Sequence, residues 1–287
     1  MSKEIEAQIL FINYDEIIEK LKKLNAKLKF DWIKFRISVF NPCLSLDEQK
    51  EKYNLIFTRV RDEGLGIVTI TTKTKTKSAS DGKFVNEYEI ETKNSFEECR
   101  DLLLANHLST KAYQERLRQK WIIPGRPEIK EIVFDIWPGL PMHMEVEAKT
   151  EEDLMRFLDE LGINKDNIRY SGATMFYKEI LGVEPHKINN ETPQLDFATV
   201  KTELLPSSNN KDKFNEILEQ QKLYLKRFGF ESLIGGRKKS SKKSSKKSTK
   251  KSSKKSTKKS SKKSSKKSSK KSTKKSSKKS TKKYIKK

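Results

Sequence analysis

Six short segments of the chain carry a polar or charged residue at every second position, and the sign of the charge changes from one segment to the next. Glu4-Ile-Glu6-Ala-Gln8, Glu87-Tyr-Glu89-Ile-Glu91 and Glu145-Val-Glu147 repeat carboxylates, whereas Arg59-Val-Arg61, Lys73-Thr-Lys75 and Arg116-Leu-Arg118-Gln-Lys120 repeat cations. In an extended chain residues i, i+2 and i+4 project to one face, so each segment reads as a strand with a charged face and a more apolar one. For one strand alone, a solvated face accounts for the pattern. Six such faces, with carboxylates and cations on separate strands, fit better around an enclosed site holding an anion and a hard divalent cation. The anion needs Arg and Lys, and the cation needs oxygen ligands.

Positioning these residues takes a sheet that closes or nearly closes. Strand-like segments lie near 3–12, 33–40, 53–62, 66–76, 84–92, 112–122, 129–137 and 142–149. Eight strands are enough for a small barrel with room inside for one ligand. Helices are legible between them. Ile17, Ile18, Leu21, Leu24 and Leu28 form an apolar stripe after Asp15, and Ser95-Phe-Glu-Glu98 is a capping box. Thr150 opens a third helix with an acidic first turn, which Gly162 stops, and a fourth runs over about 174–181. The expected class is therefore α+β: an eight-stranded antiparallel β-barrel over residues 1–183 with helices packed outside. Pro185, Pro193 and Pro206 mark 184–210 as a linker, and Phe214, Ile217, Leu218, Gln221, Leu225 and Phe228 mark 211–230 as an amphipathic helix that docks back on the barrel.

The net charge of +24 misdescribes this body, because the 51 residues from Arg237 hold 26 Lys, one Arg and no acid. Removing that run leaves 36 basic residues against 39 acidic ones, a balance of −3. The stretch 236–287, a four-residue alternation of Lys pairs with Ser-Ser or Ser-Thr, cannot bury apolar surface and reads as a disordered tail that binds nucleic acid or other polyanions nonspecifically. Nothing resembles a membrane span or signal peptide, so a soluble intracellular protein is expected, with the tail compatible with nuclear or virus-particle association. Cys43 and Cys99 read as reduced packing residues, and neither has a partner at zinc-ligand spacing.

The ordered set of motifs over Ser2 to about Val183 resembles the CYTH family, the triphosphate tunnel metalloenzymes. It comprises Glu4-Ile-Glu6-Ala-Gln8, Arg59-Val-Arg61-Asp-Glu-Gly64, Thr71-Thr-Lys73, Glu87-Tyr-Glu89-Ile-Glu91, Tyr113-Gln-Glu-Arg-Leu-Arg118-Gln-Lys120-Trp121 and Asp135-Ile-Trp137-Pro-Gly-Leu-Pro141 followed by Glu145-Val-Glu147. The family includes thiamine triphosphatases, inorganic triphosphatases and class IV adenylyl cyclases. The resemblance implies a tunnel that takes a triphosphate-containing small molecule with Mg²⁺ or Mn²⁺. It implies Glu4, Glu6, Glu145 and Glu147 as metal ligands and Arg36, Arg59, Arg61, Lys73, Arg116, Arg118 and Lys120 as phosphate ligands. Glu89 or Glu91 is implied as the group that activates water. The expected function is metal-dependent hydrolysis of inorganic, thiamine or nucleoside triphosphate. RNA 5′-triphosphatase activity and a noncatalytic protein that captures polyphosphate or nucleotides and packages nucleic acid are the alternatives. A cyclase is less favoured, because no adenine pocket is legible. Gln8 departs from the pattern: the family's opening motif ends in Lys there, and an amide cannot neutralise phosphate charge. His143 shares the parity of Glu145 and Glu147 but, beside a Pro-Met turn, reads as structural.

Overall fold

The computed structural model describes residues 5–42, 55–75 and 85–234. Glu4, Cys43 and the tail 236–287 lie outside the described residues. Strand β1 (Ile5–Ile9) leads through the side-chain cap of Asn13 into helix α1 (Tyr14–Lys23), which buries Ile17, Ile18 and Leu21. The helix ends sooner than its apolar stripe suggests. Asn25 adopts φ +58° and reverses the chain, so that Leu28 belongs to the long strand β2 (Lys27–Pro42). Asn tolerates this left-handed conformation better than most residues.

Strands β3 (Leu55–Asp62), β4 (Val68–Lys75) and β5 (Val85–Thr92) precede α2 (Phe96–Ala105), whose Ser95–Glu98 capping box forms as expected. Then come β6 (Leu108–Ile122), β7 (Ile129–Ile136), β8 (His143–Ala148) and α3 (Glu151–Glu160), capped by Thr150. A two-residue strand β9 (Ile168–Arg169) and α4 (Ala173–Leu181) follow. The region expected to be a linker is more ordered than that. It holds a π turn at Lys187–Glu191, β10 (Gln194–Leu195) and α5 (Val200–Leu204), and it buries Ile188, Leu195, Val200 and Leu204. Apolar residues this widely spaced have no periodicity to read, yet each fills a place in a shared core. Helix α6 (Lys211–Arg227) and a 3₁₀ turn at Glu231–Leu233 complete the described fold.

The strands run in the order β5-β4-β3-β2-β6-β7-β8-β1-β9, every neighbour antiparallel, with β10 parallel to β6 at Tyr113 and Gln114. That stretch of β6 is free because β7 pairs it only from Leu117 onward. The result is the expected α+β class, a curved antiparallel sheet with helices, and among the described residues that sheet stays open where the sequence leads one to expect a closed eight-stranded barrel. Among the described residues β5 pairs with β4 alone, and the edge of β1 that would meet it is taken at Gln8 and Ile9 by β9.

The sheet has one apolar face and one charged face. Ala7, Ile9, Leu117, Trp121, Phe134, Met144 and Val146 pack beneath α1 and α3, with the Tyr14 ring 5.2 Å edge-on to Phe134. Phe40, Val60 and Val68 pack beneath Phe96 and the free, buried Cys99 of α2. At one end Leu10 and Leu140 join Phe176 and Tyr177 of α4 and Phe214 and Ile217 of α6. Among the described residues no helix is long and apolar enough to cross a membrane.

Candidate functional site

Antiparallel register places directly paired residues on the same side of a sheet. On this rule β3 sets Arg59 and Arg61 beside Thr71 and Thr69 of β4, which in turn face Glu89 and Glu91 of β5. Arg118 of β6 lies opposite Asp135 of β7, and Asp135 lies opposite His143 of β8. Glu145 and Glu147 of β8 lie opposite Gln8 and Glu6 of β1. Arg59, Arg61, Lys73, Glu89, Glu91, Arg116, Arg118, Lys120, Glu6, Glu145 and Glu147 therefore share the charged face.

Arg36 does not join them. Its register partners are Asp62 and Glu115, and its guanidinium pairs with Asp62 at 2.6 Å and Glu97 at 2.7 Å on the opposite face, over the Phe96 ring. Its strand neighbours Phe35 and Ile37 take the charged face instead, and the guanidinia of Arg116 and Arg118 lie over Phe35 at 5.1 and 5.8 Å. Simple alternation on β2 puts Phe35 inside and Arg36 outside.

The centre of the face is a buried ion cluster that the candidate residues alone did not reveal. Asp135, 1% exposed, accepts two hydrogen bonds from Arg118, at 2.8 and 2.5 Å, and one from Arg116 at 3.3 Å. Burial alone would raise its pKa, but the two guanidinia outweigh it and hold the carboxyl well below the usual carboxylate range. Burial and the neighbouring Arg118 push Arg116 down to about 10, against the pull of Asp135. Arg118 goes the other way, since Asp135 more than offsets the cost of its burial. Burial also lowers His143, which stays neutral and holds its Nδ1 3.3 Å from the Pro141 carbonyl oxygen. The signal for Asp135 was present in its parity with Val133 and Glu131 across from β8, but a carboxylate two residues before Trp-Pro reads equally well as part of a turn.

Breaking this cluster has a calculable cost. Asp135→Asn leaves the more distant Glu145 as the counter-charge to two buried guanidinia and should lower stability by about 3–5 kcal/mol, measured as a shift in the urea midpoint. The pH dependence gives a second reading. A depressed carboxyl contributes stability that is present above its unfolded pKa and lost as pH falls towards the folded one, so the wild type should weaken below about pH 4. Asp135→Asn should show a smaller acid-side loss, the remainder coming from other lowered carboxyls such as Glu97 and Glu160, and an unchanged acid slope would count against the cluster.

Around this centre Glu145, Glu147, Glu131 and Glu89 each have a partner. Gln8 Nε2 donates to Glu145 at 2.5 Å, Arg118 lies 3.4 Å from Glu145, and Lys130 lies 2.5 Å from Glu147. Lys120 pairs with Glu131. Glu89 accepts from the Thr71 hydroxyl at 2.6 Å, with Arg61 at 3.7 Å and Arg59 at 3.9 Å, whereas Glu91 is exposed near the sheet edge. Arg169 of β9 lies opposite Gln8 but turns its guanidinium to Glu179 at 2.6 Å. It does not replace the missing cation. Several buried polar atoms on the face have no hydrogen-bond partner among the described residues: the donors Arg61 Nε and Arg116 Nε, the Thr69 hydroxyl, and the acceptor Gln8 Oε1. Buried donors are normally satisfied, and Trp32 Nε1, Ser38 Oγ and Arg100 Nε share this state elsewhere, so the three here could take a ligand's acceptor oxygens without by themselves defining a site.

The donor chemistry also fits a divalent cation. Glu6, Glu145 and Glu147 supply hard oxygens from adjacent strands, and the orphaned Gln8 Oε1 adds a neutral one. In the present arrangement these groups turn to each other and to cations, and among the described residues no three metal-ligating side chains gather at one point.

No protein-family model and no curated protein matches the chain. Solved structures do resemble it. The PH1012 protein of Pyrococcus horikoshii aligns over 61% of this chain and 99% of its own at 16% identity, with a TM-score of 0.45. A candidate adenylate cyclase of Vibrio parahaemolyticus aligns over 61% of this chain and 97% of its own at 12% identity, with a TM-score of 0.45. HpAC1 of Hippeastrum, a candidate adenylyl cyclase described as having a dominant triphosphatase activity, aligns over 61% and 93% at 16% identity, with a TM-score of 0.40.

Proposed function

We propose that the charged face binds a triphosphate and, with Mg²⁺ or Mn²⁺, hydrolyses its terminal phosphoryl group. The observation that carries this reading is the gathering of Arg59, Arg61, Arg116, Arg118, Lys73 and Lys120 on one face of the sheet, with the buried donors Arg61 Nε and Arg116 Nε finding no acceptor among the described residues. Arginine forks suit phosphate oxygens. Asp135 and the Phe35 ring orient the two central guanidinia before any ligand arrives. Glu6, Glu145 and Glu147, with Gln8 Oε1, would hold the cation, which would polarise the phosphoryl oxygens and neutralise charge developing in transfer. Glu89, which accepts a hydrogen bond from Thr71, would accept a proton from attacking water in this reading.

A second reading follows from the pairs that now occupy the acidic end. Gln8 on Glu145 and Lys130 on Glu147 describe a face that captures polyphosphate without turnover. Phosphate release by the full chain from tripolyphosphate, thiamine triphosphate, ATP and triphosphate-ended RNA, with and without Mg²⁺ or Mn²⁺, decides between them. Binding of tripolyphosphate without release of phosphate supports capture, and absence of both ends the proposal.

Gln8 provides a graded test. Gln8→Lys puts a cation at the register partner of Glu145 and should tighten tripolyphosphate binding about tenfold, the worth of one charge-assisted hydrogen bond. Titration calorimetry would read it. An unchanged affinity would mean that the existing cations already saturate the phosphates.

A further inference from the structure

Gln221 is 3% exposed in the middle of α6, beyond the stretch whose motifs carry the charged face, and a turn far away in sequence uses its whole side-chain amide. Its Nε2 donates to the carbonyl oxygens of Trp137 at 2.5 Å and Leu140 at 2.6 Å, and its Oε1 accepts from the Gly139 N–H at 3.0 Å. The Tyr177 hydroxyl of α4 donates to the carbonyl of Pro138, the remaining residue of the same turn, at 2.6 Å. Gly139 has φ +77°, and a side chain there would meet the Phe214 ring of α6 at 2.7 Å. A glycine is required at this close approach.

The turn joins the strand of Asp135 to the strand of Glu145, and it carries Trp137. The guanidinium of Arg116 lies over the Trp137 ring at 5.5 Å, and Arg116 Nε is one of the buried donors without a partner among the described residues. Resting on the reading of this face as a polyphosphate site, we propose that Gln221 is a positioning residue: it fixes the turn at 137–140 so that Trp137 holds Arg116 with its free donor towards the ligand. Helix α6 is then part of the site and not a docking helix alone.

The test uses the full chain carrying Gln221→Met, which keeps length and apolar volume but removes all three hydrogen bonds. Tripolyphosphate affinity should fall about tenfold, the loss of one charge-assisted hydrogen bond. In an Arg116→Met background the same change should cost less than about twofold, because the residue it acts through is gone. The resonance of the Arg116 Nε–H, identified by its disappearance in Arg116→Lys, should shift and exchange faster with solvent. Equal losses with and without Arg116, or an unmoved Arg116 resonance, overturn the proposal in favour of a purely structural splint. If the wild type binds no tripolyphosphate, the reading of the face fails, and the Arg116 resonance still decides the role of Gln221. If Gln221→Met does not fold, Trp137→Leu leaves the turn's backbone bonds in place. Wild-type affinity together with an unshifted Arg116 resonance in that variant overturns the proposal equally.

Discussion

Changing Glu145 and Glu147 together to Gln should leave a folded protein whose Mg²⁺- or Mn²⁺-dependent release of phosphate falls about a thousandfold, since a Lewis-acid cation contributes several kcal/mol and about 4 kcal/mol is that factor. Folding should survive for a specific reason. Both side chains are only partly buried, and the amides can still accept hydrogen bonds from Gln8, Arg118 and Lys130. Tripolyphosphate binding without metal should hold or improve, because two negative charges leave a face that must take an anion. The measurements are phosphate release against metal concentration and far-ultraviolet circular dichroism. Full metal-dependent activity in the double variant would remove these glutamates from the site, whatever the substrate.

Deleting residues 237–287 should change the binding of long polyanions by a similar factor. The tail carries 27 of the 63 basic residues, and without it the chain goes from +24 to −3. A protein that neutralises six to ten phosphates loses on the order of a thousandfold or more in affinity over a modest rise in salt. The full chain should show that steep dependence, and the truncated one should scarcely bind DNA or RNA at moderate ionic strength. Hydrolysis of small triphosphates should persist in the truncated form. Turnover of triphosphate-ended RNA should drop in step with lost binding, and the drop should shrink as salt screens the tail. Equal nucleic-acid binding by the two forms across a salt series would place a nucleic-acid surface on the body.

The contents of the charged face were legible in the sequence, because parity within a strand is a local property. Arg59 and Arg61, Arg116 and Arg118, and Glu145 and Glu147 had to share a side of their own strands in any extended chain. Helix starts were equally local: Ser95 with Glu98 and Thr150 declare themselves within one turn, whereas the Asn13 cap lies two residues before Asp15, from which the sequence reads the first helix. Where α1 stops was less legible, since a stripe from Ile17 to Leu28 fits helical spacing until Asn25 turns the chain back.

Which strand face meets which is a different kind of fact. Arg36 looks like its neighbours in composition, yet the pairing of β2 with β3 and β6 sends it to Asp62, Glu97 and the outer face. The open edge depends on two residues of β9 reaching β1, and the buried Asp135 cluster on the register of β6 against β7. The clamp of Gln221 on the Trp137 turn joins groups more than eighty residues apart. Such contacts leave no periodic trace. The sequence by itself determined the strands, their charged sides and the polycationic run, because each follows from neighbours a few residues away. Only the tertiary structure decided which charges are buried together and which are turned outward, because pairing register and the desolvation that comes with it are set by packing between distant segments.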